Sequence, residues 1–349
     1  MEKRKRKRGS AGLVILILVL LAALAAGGYY IWQTMDQVRT TPPTITLKGS
    51  PNMTLYYGKK YKEPGYAAED AQHRNLTSSV TSEVPEMKNT GTYTIRYEVK
   101  DSQGNSATAE RRITVTFPPQ TEEGAERGLC VLMYHDVYDA SAPPLDVDTN
   151  KVSTAELEEQ LKFLTSEGYY FPSWKEVRQY LDGKIDLPEK SIVLTFDDGD
   201  KGFQEYGVPL IEKYDVRATS FVIGSKNGDE IVKKARSWNH IILGSHSYDM
   251  HKPGGMVGHG GIMTALSVDD MTADLEKSRE QLGGAEAFAY PFGDTTPDCE
   301  TAAEQAGFLV AFTTVYGSIH PGDDPYLLKR IRINGGTSLE EYKSEIGAV

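Results

Sequence analysis

Cysteine is nearly absent from this 349-residue sequence, which holds two, Cys130 and Cys299. Two thiols cannot build a disulfide framework, and with no CxxC or Cys/His cluster a zinc-finger type of site is excluded. One bond between them is the single disulfide open to the chain, and nothing in their spacing calls for it. Histidine is scarce as well, at seven residues, so a pair falling close together carries information. Positive charge is lacking overall. The net charge is −11, the first eight residues carry +5, and about −16 is left for the remainder. An acidic body repels phosphate backbones, which argues against nucleic acid as a partner. Long apolar runs are missing with one exception. Ser10 to Gln33 contains no charge and centres on Leu13–Ala26, and about 20 such residues cross a bilayer as a helix.

The basic run Lys3–Arg8 before that span predicts a cytoplasmic segment at 1–9, an anchor at 10–33 and everything after Trp32 facing outward. Tyr29, Tyr30 and Trp32 stand where interfacial aromatics belong. The alternative is a cleaved secretion signal, since Ala23-Leu24-Ala25 offers a small-residue cleavage site. The length of the span and its aromatic outer end favour the anchor.

Residues 34–43, ending in Pro42-Pro43, are expected as a linker. From 44 to 116 the pattern alternates with the period of half-buried strands, as in Thr44–Leu47, Tyr93–Val99 and Arg112–Val115, with a turn at Asp101-Ser102-Gln103-Gly104-Asn105. These pieces predict a small β-sandwich. Ile45–Gly49, Gly91–Tyr97 and Asp101–Asn105 resemble the immunoglobulin-like repeats of bacterial surface proteins, which implies a spacer or a weak wall-binding module. His73 has no partner histidine there and reads as a surface residue. A second linker is expected at 117–128. From 129 to 349 strands alternate with helices. Strands are predicted at 129–134, 191–196, 218–223, 241–245, 287–290 and 308–313. Helices are predicted from the Ser153–Glu156 capping box to Gly168, and near 202–213, 268–282 and 297–306. Such alternation predicts an α/β parallel sheet or barrel, with chemistry at the C-terminal ends of the strands.

Three strand ends stand out. Thr195-Phe196-Asp197-Asp198-Gly199 closes an apolar strand with two carboxylates and a glycine. Adjacent side chains on a strand oppose each other, so both acids address one site only if the chain turns there. A polar turn with a helix cap is the plainer reading of these residues alone. Gly244-Ser245-His246-Ser247-Tyr248-Asp249-Met250-His251 places two histidines five apart, a spacing that diverges on a helix and converges only on an irregular turn. Imidazole with carboxylate suits zinc or a similar metal, while two surface histidines on a loop remain open. Ala287–Asp294 ends at a Pro-aromatic-Gly turn, a structural signal by itself.

Together the three resemble the polysaccharide deacetylase family, the NodB-like domain of carbohydrate esterase family 4. The resemblance implies a distorted (β/α) barrel of about seven strands. It implies a divalent metal, zinc or another transition ion, on Asp198, His246 and His251, with Asp197 as general base. The substrate it implies is an N-acetylglucosamine-containing polysaccharide, with Pro291 and Phe292 beside it and the Tyr290 N–H facing an oxyanion. Two departures matter. The usual histidine spacing is four, and Ala289 stands where an arginine is common. With Met133-Tyr134-His135-Asp136-Val137 and the tail Leu327–Ile333, both departures look like the subgroup that deacetylates poly-β-1,6-N-acetylglucosamine. The usual acid histidine is missing, which leaves His135 as the proton donor to test. His259 and His320 are weaker candidates, and His240 is expected to be structural. A non-catalytic glycan-binding surface protein and a glycoside hydrolase are the competing classes.

Overall fold

The computed structural model describes residues 10–348, which part into two compact units between Thr116 and Phe117. The basic segment expected at 1–9 lies outside the described residues. The first unit opens with the helix Ser10–Thr40, in which Gly12–Gln37 is apolar and long enough to cross a membrane, with no part buried. The helix overruns most of the linker expected at 34–43. No Gly or Pro interrupts residues 33–41, and the chain leaves the helix only where Pro42 disfavours the α conformation of its predecessor.

After it come a two-stranded sheet, Thr44–Leu47 with Tyr66–Glu69, and a four-stranded sheet. The latter runs Asn52–Tyr56, Ser106–Thr116, Gly91–Lys100, Thr81–Ser82. The two long strands form a hairpin whose turn is tied by Asp101, its Oδ1 accepting the amides of Gln103 and Asn105 at 2.9 Å each. Alternate residues Ile95, Tyr97, Ile113 and Val115 make the core. Arg111 is buried beside them. It donates to the Lys48 carbonyl (2.9 Å), the Glu63 carboxylate (3.1 Å) and the Tyr97 hydroxyl (3.3 Å).

The second unit is a closed barrel of seven parallel strands: β1 Cys130–Tyr134, β2 Ile192–Phe196, β3 Ala218–Val222, β4 Ile241–Ser245, β5 Ala287–Ala289, β6 Val310–Tyr316 and β7 Leu328–Arg332. They neighbour one another in chain order, and β7 closes on β1. β1, β2, β3 and β5 are buried throughout, the continuous apolar reading of strands covered on both faces. Crossover helices carry their own start signals. Ser153 and Glu156 form the expected capping box, and Ser173 with Glu176 forms another that the sequence reading passed over. The stretch 117–128 is only partly a linker. Phe117 is buried, and Glu122–Arg127 forms a short helix capped by Thr121. Cys130 on β1 and Cys299 on the helix Pro297–Gln305 are free thiols in separate parts of the core. Burial pushes the Cys130 thiol up to about 11.

Candidate active site

The barrel gathers the three sequence motifs at the C-terminal ends of its strands. After β2, Asp198 (φ +71°) and Gly199 (φ +64°) are both left-handed, so the chain reverses at once and both carboxylates stay at the barrel mouth. Asp tolerates this conformation better than most residues. At Gly199 the left-handed φ favours glycine, and a Cβ would in addition come within 2.9 Å of Ile231 Cδ1. Ser247 (φ +68°) turns the second motif and Phe292 (φ +62°) the third. Three of the five non-glycine residues with positive φ among the described residues therefore fall in these three turns. Such strain persists where surrounding structure imposes it, and it clusters at functional sites.

His246 is buried. Its Nδ1 lies 2.7 Å from the Ala289 carbonyl, which can only accept, so Nδ1 carries a proton and, in the neutral ring, Nε2 keeps its lone pair. Nε2 of His246 is 3.4 Å from Asp198 Oδ1, and Nε2 of His251 is 3.5 Å from the same oxygen. One donor atom from each residue lies within 4.8 Å of the other two. A tetrahedral zinc with bonds of about 2.0–2.1 Å sets its ligands roughly 3.3–3.4 Å apart. Asp198 Oδ1 is also buried without a hydrogen bond of ordinary geometry, an orphaned acceptor aimed at the centre of the cluster. The donor set fits a divalent metal. The five-residue histidine spacing is absorbed by Met250, which turns into the core while its amide donates to Ser247 Oγ at 3.1 Å. His251 then lies against Phe292, ring centres 4.4 Å apart and planes tilted by 31°.

Asp197 points into the same mouth with both oxygens engaged by Arg330 of β7: Nη1 to Oδ1 at 2.7 Å and Nη2 to Oδ2 at 2.8 Å. Arg330 also donates to Thr195 Oγ1 (3.2 Å) and to the Thr313 carbonyl (3.1 Å), and both partners are almost fully buried. Burial opposes ionisation of Asp197, but the charge and hydrogen bonds of Arg330 outweigh it and hold the carboxyl below its usual range. Burial likewise opposes ionisation of Asp198, and the imidazoles of His246 and, after it, His251 outweigh it and hold that carboxyl below its usual range too. Sequence reading passed over Arg330. The available signal was its parity: in Leu328-Lys329-Arg330, Lys329 points out and Arg330 in, and a cation facing a barrel interior needs a buried anion.

Asp197, Asp198, His246, His251 and Phe292 line a cavity of about 540 Å³ together with Met133, His135, Asn150, Thr314 and Arg332, while Arg330 stands behind Asp197. His135, just past β1, is largely buried, and burial lowers its pKa against the opposing charges of Asp197 and Asp198. His259 also lines the cavity, with Nδ1 3.1 Å from Asp294 Oδ1. His320 bonds instead to the Glu126 carbonyl, and His240 pairs with Asp215 before β4, at the other end of the strand from the cavity. His73 is exposed beside Glu69. One expectation is corrected. The Tyr290 N–H is donated to the Phe312 carbonyl at 3.0 Å within the barrel ladder and is not available to an oxyanion. The next amide along a chain with Pro at 291 is that of Phe292, whose N–H has no backbone partner outside its own short turn among the described residues.

Residues 184–311 match the family model for polysaccharide deacetylase, and residues 45–115 that for the bacterial surface protein Ig-like domain. A relative in Escherichia coli K12, poly-beta-1,6-N-acetyl-D-glucosamine N-deacetylase, is 30% identical over 166 residues, 40% of this chain and 24% of that protein. The chain thus spans about a quarter of that relative's length. A protein of the same name in Staphylococcus aureus MRSA252 is 25% identical over 242 residues, 62% of this chain and 82% of that protein. Among solved structures, IcaB from Ammonifex degensii is similar with a TM-score of 0.50 and 26% identity, covering 64% of this chain and 97% of that one.

Proposed function

We propose that this chain, which carries a polysaccharide deacetylase domain behind an immunoglobulin-like one, removes N-acetyl groups from an N-acetylglucosamine polymer, poly-β-1,6-N-acetylglucosamine or peptidoglycan. The observation that carries the reading is the convergence of Asp198, His246 and His251 beside an Arg330-clamped Asp197 in one cavity. The relatives' names favour the β-1,6 polymer.

Asp198, His246 and His251 would hold the divalent ion, with zinc suited by the donor set. When bound, such an ion polarises a carbonyl and lowers the pKa of water from about 16 to about 7. Asp197 is the proton acceptor from the attacking water. Arg330 keeps it ionised and fixes its plane, so it is always available as a base, at some cost in driving force. The Phe292 N–H, in place of Tyr290, donates to the oxyanion as the acetamide carbon becomes tetrahedral. Phe292, which lines the cavity, forms the wall that meets the acetylated sugar, whereas Pro291, expected beside it, is buried and only shapes the turn. His135 delivers the proton that the departing amine requires. A glycosidase would need one carboxyl kept protonated, and here both Asp197 and Asp198 are held ionised.

The helix Gly12–Gln37 would anchor the chain. Its 26 residues extend about 39 Å at 1.5 Å each, more than the roughly 30 Å of a bilayer core, and would leave the barrel outside the cell near its polymer. The decisive experiment measures acetate released from poly-β-1,6-N-acetylglucosamine, peptidoglycan and chitin oligomers, before and after chelation. Undiminished release after complete metal removal would sink the metal assignment. Binding of these glycans without acetate release from any of them would favour a non-catalytic surface binder.

A further inference from the structure

We infer that Asp274, on the helix Val268–Gln281, is a positioning residue that sets the geometry of the metal site through the backbone of the loop between His246 and His251. The inference rests on the metal reading above. Asp274 touches neither histidine. Its Oδ1 accepts the Tyr248 N–H at 2.7 Å and its Oδ2 the Asp249 N–H at 2.9 Å. These are consecutive amides directly after left-handed Ser247. Successive N–H groups in such a turn converge as an anion-binding concavity, and a carboxylate is the anion that fills this one.

The same helix face holds the loop at two more points. Ser278 Oγ is 2.7 Å from Ser245 Oγ, which in turn accepts the Ser247 amide at 3.2 Å. The Lys277 ammonium sits 3.6 Å from the centre of the Tyr248 ring. From the opposite side the amides of Gly224 and Ser225, where the helix Gly224–Ala235 begins, donate to the Ser247 and Tyr248 carbonyls at 3.0 and 2.7 Å. The peptide groups between the ligands are thus gripped on both faces. A left-handed serine is strained unless its surroundings hold it, so without Asp274 the turn relaxes and the two Nε2 atoms drift from their shared approach to Asp198.

The test uses the full chain in detergent, stripped of metal and titrated with Zn²⁺ and with Co²⁺ as a spectroscopic probe. The variants are Asp274→Ala, Asp274→Asn, Glu276→Ala as an exposed control on the same helix, and Asp198→Ala. Supporting groups of this kind shift metal affinity about 10–100-fold. Asp274→Ala is expected to bind Zn²⁺ at least about 10-fold more weakly and to alter the visible Co²⁺ spectrum. Asp274→Asn, which keeps one acceptor oxygen, falls between it and the parent and carries the test if the alanine variant does not fold. Glu276→Ala matches the parent. Parent-like affinity and spectrum in both Asp274 variants would overturn the inference. A parent protein that takes up no ion, or an Asp198→Ala variant that binds as well as the parent, would overturn the metal reading itself.

Discussion

Replacing Arg330 with methionine tests whether the Asp197 carboxylate depends on one buried guanidinium. The substitution keeps much of the side-chain volume and removes two hydrogen bonds to Asp197, one to Thr195 and one to Thr313. Asp197 is 3% exposed, so little water can take the place of the lost guanidinium. Deleting one partner of such a pair costs about 3–5 kcal/mol, because the remaining charge stays buried and uncompensated. In a domain of this size each kcal/mol moves the melting temperature by roughly 2–4 °C, so the barrel transition should fall by roughly 6–20 °C. The double variant Asp197→Asn with Arg330→Met removes both charges of the pair and should recover much of that loss. Calorimetry on the parent, both single variants and the double variant closes the cycle. A loss below about 1 kcal/mol for Arg330→Met, or a double variant no more stable than that single, would refute the reasoning.

Asp197→Asn should retain bound metal and lose acetate release, while Asp198→Ala should lose both; metal analysis beside an acetate assay separates them, and an active Asp197→Asn enzyme would remove the base assignment. His135→Gln should slow turnover on the polymer with little change in bound metal, measured by kcat against metal content. Gly293→Ala places a Cβ at φ +77° and 2.1 Å from Thr314 Oγ1, so it should cost more than about 1 kcal/mol and distort the Phe292 turn; unchanged melting and activity would contradict this. In the first unit, burial raises the Glu63 pKa, but hydrogen bonds from Tyr97, Tyr61 and the Gly65 amide, with the charge of Arg111, bring it below its ordinary value. The folded value then lies below the unfolded one of about 4.3. Its contribution is present above that pH and is lost as pH falls toward the folded value. Glu63→Gln should flatten the acid limb of the unit's melting curve, and an identical limb would count against the pair.

Most of the barrel was legible because its signals are local. Apolar runs marked β1 to β6 within a few residues, and the Ser153 capping box marked its helix. The helices Trp174–Leu181, Gly224–Ala235 and Leu339–Glu345 went unread. The second of them starts without a side-chain cap and contains a non-helical Asn227. The Asp198, His246 and His251 cluster was visible as motifs, since aspartate and histidines at strand ends have few other uses together. Its partner Arg330 was not, because the pairing joins β2 to β7 across 133 residues, and no local pattern encodes which inward arginine meets which inward acid. The Tyr290 amide misled for a related reason. Whether an N–H is free depends on the ladder with β6, which is a matter of strand register.

The two free thiols offer a native readout of how this barrel breathes. Cys130 sits on the strand where the barrel begins and closes, and Cys299 lies on the buried face of the helix Pro297–Gln305 in another part of the core. A buried, protonated sulfur is inert to alkylating reagents, so each reacts only when its own neighbourhood opens. Labelling rates at the two positions therefore report, without any engineered probe, whether the barrel seam and the helical layer loosen together or separately.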